Sequence, residues 1–98
     1  MTDASAPTAV RARISVSGRV QGVGYRAFTV RVATQGGLVG GVRNTDDGRV
    51  ELEVEGPKDR ILSLIEELKV GPTASRVTAV QVEWAKATGR YTDFDVWY

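Results

Sequence analysis

The order in which hydrophobic periodicity changes along the chain most constrains the fold. It passes from two residues to about 3.6 and back, twice. Val10, Ala12, Ile14 and Val16 alternate with polar residues, the signature of a half-buried strand. Tyr25, Phe28, Val32 and Gln35 then follow helical spacing, with Ala33 beside them, until Gly36 and Gly37 stop the run. Residues 38–44 read as a short strand, Thr45-Asp-Asp-Gly48 as a hairpin turn, and residues 49–55 as a strand with Val50, Leu52 and Val54 inward and the charges outward. Gly56-Pro57 opens a second helix with Pro57 expected at its first position, where the missing N–H costs nothing. Ile61, Leu64, Ile65 and Leu68 supply that helix's apolar stripe before Gly71-Pro72 ends it. Residues 77–85 form another strand with Val80, Val82 and Trp84 on one face, and Phe94, Val96 and Tyr98 a short last one.

The resulting order is βαββαβ plus a short terminal strand. Right-handed crossovers put both helices on one face of a mostly antiparallel sheet, leaving the other face to water. That is an α+β, ferredoxin-like split βαβ sandwich. At 98 residues there is room for one such domain. The small, polar residues 1–8 are expected to be a disordered tail with no leader or anchor, and no run is long enough to span a bilayer.

Two absences narrow the chemistry. Without cysteine there are no disulfides and no thiolate metal sites, which suits a cytoplasmic location. Without histidine the usual general base and the commonest metal ligand are both missing. The charge is uneven: residues 1–43 hold six arginines against Asp3, whereas residues 44–98 hold seven basic and eleven acidic side chains. This points to an anion site in the first half, although solvated strand and helix faces account for most of these arginines.

Within it, Gly18-Arg-Val-Gln-Gly-Val-Gly24 joins the first strand to the first helix. A glycine-rich turn at a helix N-terminus offers several backbone N–H groups to a phosphate, and Arg26 in the first helical turn can add a bidentate fork; spacing alone equally allows a turn that only changes the chain's direction. The segment lacks the Lys-Ser/Thr pair of a Walker loop. Gly22-Val-Gly24-Tyr-Arg-Ala27 does match a relaxed dinucleotide fingerprint, but the second strand turns straight back through Asp-Asp-Gly, which a doubly wound sheet does not allow.

The stretch Val16-Ser-Gly-Arg-Val-Gln-Gly-Val-Gly-Tyr-Arg26 resembles the first signature of the acylphosphatase family, V-x-G-x-V-Q-G-V-x-F-R. Val42-Arg-Asn-Thr-Asp-Asp-Gly-Arg-Val50, followed by Gly56, resembles its second, and Thr92-Asp-Phe94 its terminal strand. The resemblance runs over nearly all of residues 9–98 and implies an acylphosphatase-like domain that hydrolyses the carboxyl–phosphate bond of acyl phosphates. It further implies that Gly18, Arg19, Val20, Gln21, Gly22 and Val23 form the phosphate-binding loop, that Arg26 binds phosphate oxygens, and that Asn44 orients the attacking water. No metal or organic cofactor is implied. The expected partners are the acyl phosphate and inorganic phosphate as product inhibitor, with no nucleic acid and no membrane, on a monomeric chain. Thr45 could support the site, though a place in the turn is the expected one. Arg19 and Gln21 either contact substrate or face solvent.

Three departures stand out. Tyr25 replaces the commoner phenylalanine and brings a hydroxyl that needs a partner if buried. Gly41 replaces the usual aromatic before V-R-N, removing packing beside the asparagine strand. Val30 and Val32 lower helix propensity on the first helix.

The residues agree with the implied chemistry. Arginine stays charged and an asparagine amide only orients, so neither transfers a proton near neutrality. An acyl phosphate expels a carboxylate whose conjugate acid has a pKa of about 4–5, and needs no acid to leave. Positioning and electrostatics then suffice. Of the alternatives, a ferredoxin-like RNA-binding module would need aromatics on its central strands, but residues 49–55 are acidic and carry none. A non-catalytic anion-sensing or carbamoyl-phosphate-handling domain would belong to a larger protein. Asp46 and Asp47 are explained by the turn rather than by a metal, and Trp84, Phe94 and Trp97 by the core or sheet faces.

Overall fold

The computed structural model describes residues 8–98, so the expected tail, Thr8 excepted, lies outside the described residues. The elements are β1 (Ala9–Arg19), α1 (Tyr25–Gln35), β2 (Val39–Asn44), β3 (Val50–Pro57), α2 (Lys58–Val70), β4 (Arg76–Lys86) and β5 (Phe94–Val96). They form one sheet in the order β4-β1-β3-β2-β5. All neighbours are antiparallel except β2 and β5, which run parallel at one edge. This is the expected α+β ferredoxin-like sandwich.

Alternation sets the core. Ala12, Ile14 and Val16 of β1 lie opposite Val54, Leu52 and Val50 of β3, and all six are buried beneath the helices. Ile61, Leu64, Ile65 and Leu68 of α2 close over them, as their spacing predicts. Each such side chain contributes about 1.5–3 kcal/mol on burial. Asp59 in the first turn of α2 and Lys69 in the last complement its dipole. Pro57 keeps an extended ψ of 137° and ends β3, so α2 begins one residue later than expected, at Lys58.

The buried stripe of α1 is rotated from its expected position. Tyr25, Phe28, Thr29 and Ala33 are buried, Val32 is half-buried and Gln35 is exposed. Thr29 reads as polar in sequence, but its hydroxyl donates to the Tyr25 carbonyl at 2.8 Å and so satisfies itself within the helix. The charges of β3 do not all face water either. Glu55 is buried, its carboxylate accepting from Thr88 N (2.9 Å), Thr88 Oγ1 (2.7 Å) and Gly89 N (3.0 Å). That clamp anchors the connection that carries the chain from β4, on one edge, to β5 on the other.

Gly41 sits on the open face, where a Cβ would meet the Trp97 indole at 1.9 Å. The packing an aromatic at position 41 would give to this strand is supplied from the end of the chain instead. The Trp97 ring lies on the glycine, its main-chain N–H donates to the Val42 carbonyl at 2.7 Å, and the ring packs at a tilt against Tyr91, with centroids 5.6 Å apart.

Candidate active site

Three elements meet at one corner of the molecule: the loop after β1, the start of α1, and the end of β2. Gly18 and Arg19 belong to β1, where a bulge shifts the register with β4. Gly18 has φ 119° and a Cβ there would lie 2.1 Å from the Arg76 carbonyl oxygen, so this glycine serves the close approach of β4. The connecting loop proper is Val20 to Gly24. Gly22 and Gly24 hold φ of 73° and 78° with open space where a side chain would go, the left-handed conformation that favours glycine.

Gly24 is also the N-cap of α1, with no side-chain cap and no acidic residue in the first turn. Among the described residues, no main-chain amide from Gln21 to Ala27 donates a hydrogen bond. Unpaired N–H groups at the positive end of a helix dipole attract an anion. Arg26 stands in that first turn. It has no acidic partner among the described residues, and its guanidinium lies 5.9 Å from the centre of the exposed Tyr98 ring. A lone cation at a helix N-terminus is electrostatically misplaced unless an anion joins it.

Asn44 reaches the same corner from the end of β2. A pocket of about 250 Å³ is lined by Val20, Gly22, Gly24, Arg26, Asn44 and Tyr98 among others. The Asn44 Oδ1 atom is buried and accepts no hydrogen bond from the described residues. A buried carbonyl oxygen without a partner is costly in a structural role, and natural for an atom that receives a ligand or water. A wider hollow of about 380 Å³ on the open sheet face is lined by Arg13, Arg43, Trp97 and Tyr98, but Arg43 is already paired with Glu51 at 2.7 Å and neither Arg26 nor Asn44 reaches it.

The remaining expected site residues divide. Val20 is buried and lines the pocket; Val23 packs against the core. Arg19 is exposed. The Gln21 amide faces the β2–β3 hairpin, with Nε2 donating to the carbonyls of Thr45 and Arg49, each at 2.8 Å. Thr45 works in the turn: its N–H bonds the Arg49 carbonyl at 2.9 Å, and its hydroxyl donates to Asp47 and accepts from Arg49 N at 3.0 Å. The Thr45 hydroxyl, first, and the Arg49 side chain hold the Asp47 carboxyl below its ordinary range. The Tyr25 hydroxyl has its partner, the Leu68 carbonyl at 2.6 Å, and burial pushes its pKa well above the usual phenol value. Of the pocket residues outside the expected site set, Gly24, Tyr25 and Ala27 adjoin Arg26 in sequence, whereas Val96 and Tyr98 are brought here only because β5 runs alongside β2.

No cluster of three or more metal-ligating side chains occurs among the described residues, and no helix there is long and apolar enough to cross a membrane. A strand–loop–helix pocket carrying an unpaired arginine among the described residues, set on a ferredoxin-like sheet, defines a class: small α+β domains with a corner suited to an anion.

Comparison with known proteins makes the class particular. The acylphosphatase family model matches residues 12–96. The acylphosphatase of Salinibacter ruber is 46% identical over 91% of this chain and 94% of its own. That of Thermus thermophilus is 50% identical over 76% and 84%. The crystal structure of the Bacillus subtilis acylphosphatase superposes with a TM-score of 0.88 at 40% identity, covering 91% of this chain and 99% of that one. The same domain shape recurs in full-length HypF in its phosphate- and nucleotide-bound form, with a TM-score of 0.85 at 29% identity over 98% of this chain but only 13% of HypF. The chain belongs to the acylphosphatase family, and its activity is the hydrolysis of acyl phosphates.

Proposed function

We propose that Arg26 and the unpaired amides of the loop and first helical turn hold the substrate's phosphoryl group, while Asn44 orients the water that attacks it. The observation that carries this reading is that Arg26 and Asn44 line one pocket, and that the Asn44 Oδ1 has no partner among the described residues. Arg26 binds phosphoryl oxygens and neutralises the charge that gathers on them in the transition state. Oδ1 accepts a hydrogen bond from the water, which leaves a water lone pair directed at phosphorus. As the water oxygen bonds to phosphorus, the bond to the acyl oxygen breaks and a carboxylate departs. The water's proton passes to a phosphoryl oxygen of the substrate itself, because neither Arg26 nor Asn44 can take it. The products are the carboxylate and inorganic phosphate.

In this reading the reaction needs no metal ion, inorganic phosphate competes with substrate for the same amides, and a single chain in the cytoplasm contains the complete site. Turnover of an aroyl phosphate in the presence of chelator tests it. Arg26→Ala should lose phosphate binding and turnover together. Asn44→Ala should keep inorganic phosphate as an inhibitor and lose turnover by about 100-fold or more, the scale of removing an essential oriented contact. Full activity in Asn44→Ala would overturn the assignment.

A further inference from the structure

Arg26 and Asn44 come from different parts of the chain, one at the start of α1 and the other at the end of β2. Their relative placement depends on what holds the loop against the hairpin. Among the described residues, the hydrogen bonds between the loop from Val20 to Gly24 and the hairpin turn are the two that Gln21 makes, to the carbonyls of Thr45 and Arg49. Two carbonyl oxygens at 2.8 Å can both be met only by an amide nitrogen, so the orientation of the Gln21 head is fixed.

Both acceptors already have other donors. The Thr45 carbonyl accepts from Gly48 N at 3.3 Å, and the Arg49 carbonyl from Thr45 N at 2.9 Å. The hairpin turn is itself braced, because Arg49 reaches Ser15 of β1 as well as Asp47. Removing Gln21 therefore leaves no buried carbonyl unpaired and no turn unmade. What it removes is the tie between two otherwise self-sufficient pieces.

We infer that Gln21 is a positioning residue that sets the Asn44 carboxamide at its working distance from the phosphate held by Arg26 and the loop. Its side chain touches neither phosphate nor water, and it acts through the residue next to the carbonyl it binds. The inference rests on the water-orienting role of Asn44. Positioning errors near 1 Å reduce turnover by about 100-fold in well-aligned sites.

The test compares Gln21→Met, Asn44→Ala and the double variant, using aroyl phosphate turnover, inhibition by inorganic phosphate and chemical denaturation. Gln21→Met should lower kcat by about tenfold to a hundredfold. Its phosphate inhibition constant and denaturation midpoint should stay close to the wild type's. Gln21→Asn keeps the amide but is one methylene too short to span the gap, and it should lower kcat likewise with even less change to the loop. Adding Gln21→Met to Asn44→Ala should cost no further activity, since the group being positioned is gone. Wild-type kcat in both Gln21 variants, or losses that multiply in the double variant, would overturn the inference. An equal loss of phosphate binding would overturn it too. An Asn44→Ala enzyme as active as the wild type would instead strike at the role of Asn44, a separately visible failure.

Discussion

Replacing Tyr25 by phenylalanine should destabilise the protein at neutral pH and stabilise it relative to the wild type in strong alkali. The family's commoner residue at this position is phenylalanine, so a neutral exchange would be the simple expectation. The structure argues otherwise. The carbonyl of Leu68 lies in the last turn of α2, where its i+4 donor would be residue 72, and residue 72 is a proline with no N–H. The next available amide, Gly71 N, is spent on the Glu67 carbonyl at 2.9 Å. The Tyr25 hydroxyl, at 2.6 Å, is the donor that takes the place of the missing one. Its loss leaves a buried carbonyl unsatisfied, at a cost of about 1–2 kcal/mol. For a domain of this size that lowers Tm by about 5–15 °C.

The sign of the alkaline effect follows from burial. Tyr25 is 1% exposed, and desolvation raises its pKa above the ordinary value near 10. The stability it confers is full below that value. It falls as pH rises further, because the unfolded phenol ionises and the folded one does not. The loss runs at about 1.4 kcal/mol per pH unit. Every other group titrates in both proteins and cancels from the difference. The two stability curves should therefore cross near pH 11, about one unit above the ordinary phenol value. Urea denaturation at a series of pH values measures this. A Tyr25→Phe protein as stable as the wild type at pH 7, or a gap that persists unchanged to pH 11, would refute the role of the hydroxyl.

Two further stability predictions follow from buried geometry. Glu55→Gln replaces an acceptor oxygen by an NH2 group facing the donors of Thr88 and Gly89, and should cost about 2–3 kcal/mol at pH 7 in a denaturant titration. Burial opposes ionisation of Glu55, but the bonds from Thr88 and Gly89 and the charge of Arg11 outweigh it and hold the carboxyl below its ordinary value. Its contribution is thus present above the ordinary carboxyl range and fades as pH falls beneath it, so the gap between the two proteins should narrow towards pH 3. The loop glycines should separate into two kinds. Gly24→Ala meets open space and carries only the left-handed backbone cost, about 1–2 kcal/mol, whereas Gly18→Ala drives a methyl into the Arg76 carbonyl and should cost at least about 1 kcal/mol more. A ranking reversed in thermal melts would contradict the placement of the β1 bulge.

Much of the site could be read from the chain because its parts are local. Glycines at positions 22 and 24 ahead of a helical pattern already imply a tight turn into a helix N-terminus, and Arg26 two residues later is a cation that an anion there would explain. The two motifs that hold Arg26 and Asn44 were recognisable as motifs, and the two-then-3.6 periodicity set the order of elements. The rotated stripe of α1 could not be read, because whether Thr29 is buried depends on a hydroxyl bonding its own helix. Glu55 looked like any outward charge on an alternating strand until residues 88 and 89 folded over it.

Short-range pattern, then, determined which elements form and which residues could carry the chemistry, since strand alternation, helical spacing and glycine conformations are properties of neighbouring residues. The tertiary structure alone decided the pairings between distant residues. These are Trp97 on Gly41, the Tyr25 hydroxyl on the Leu68 carbonyl, the Gln21 amide across to the hairpin, and the approach of Asn44 to Arg26. Such contacts join positions 18 to 56 residues apart. Only the packed sheet brings those positions together, because a hydrogen bond or a van der Waals contact acts over a few ångströms and carries no trace in local spacing.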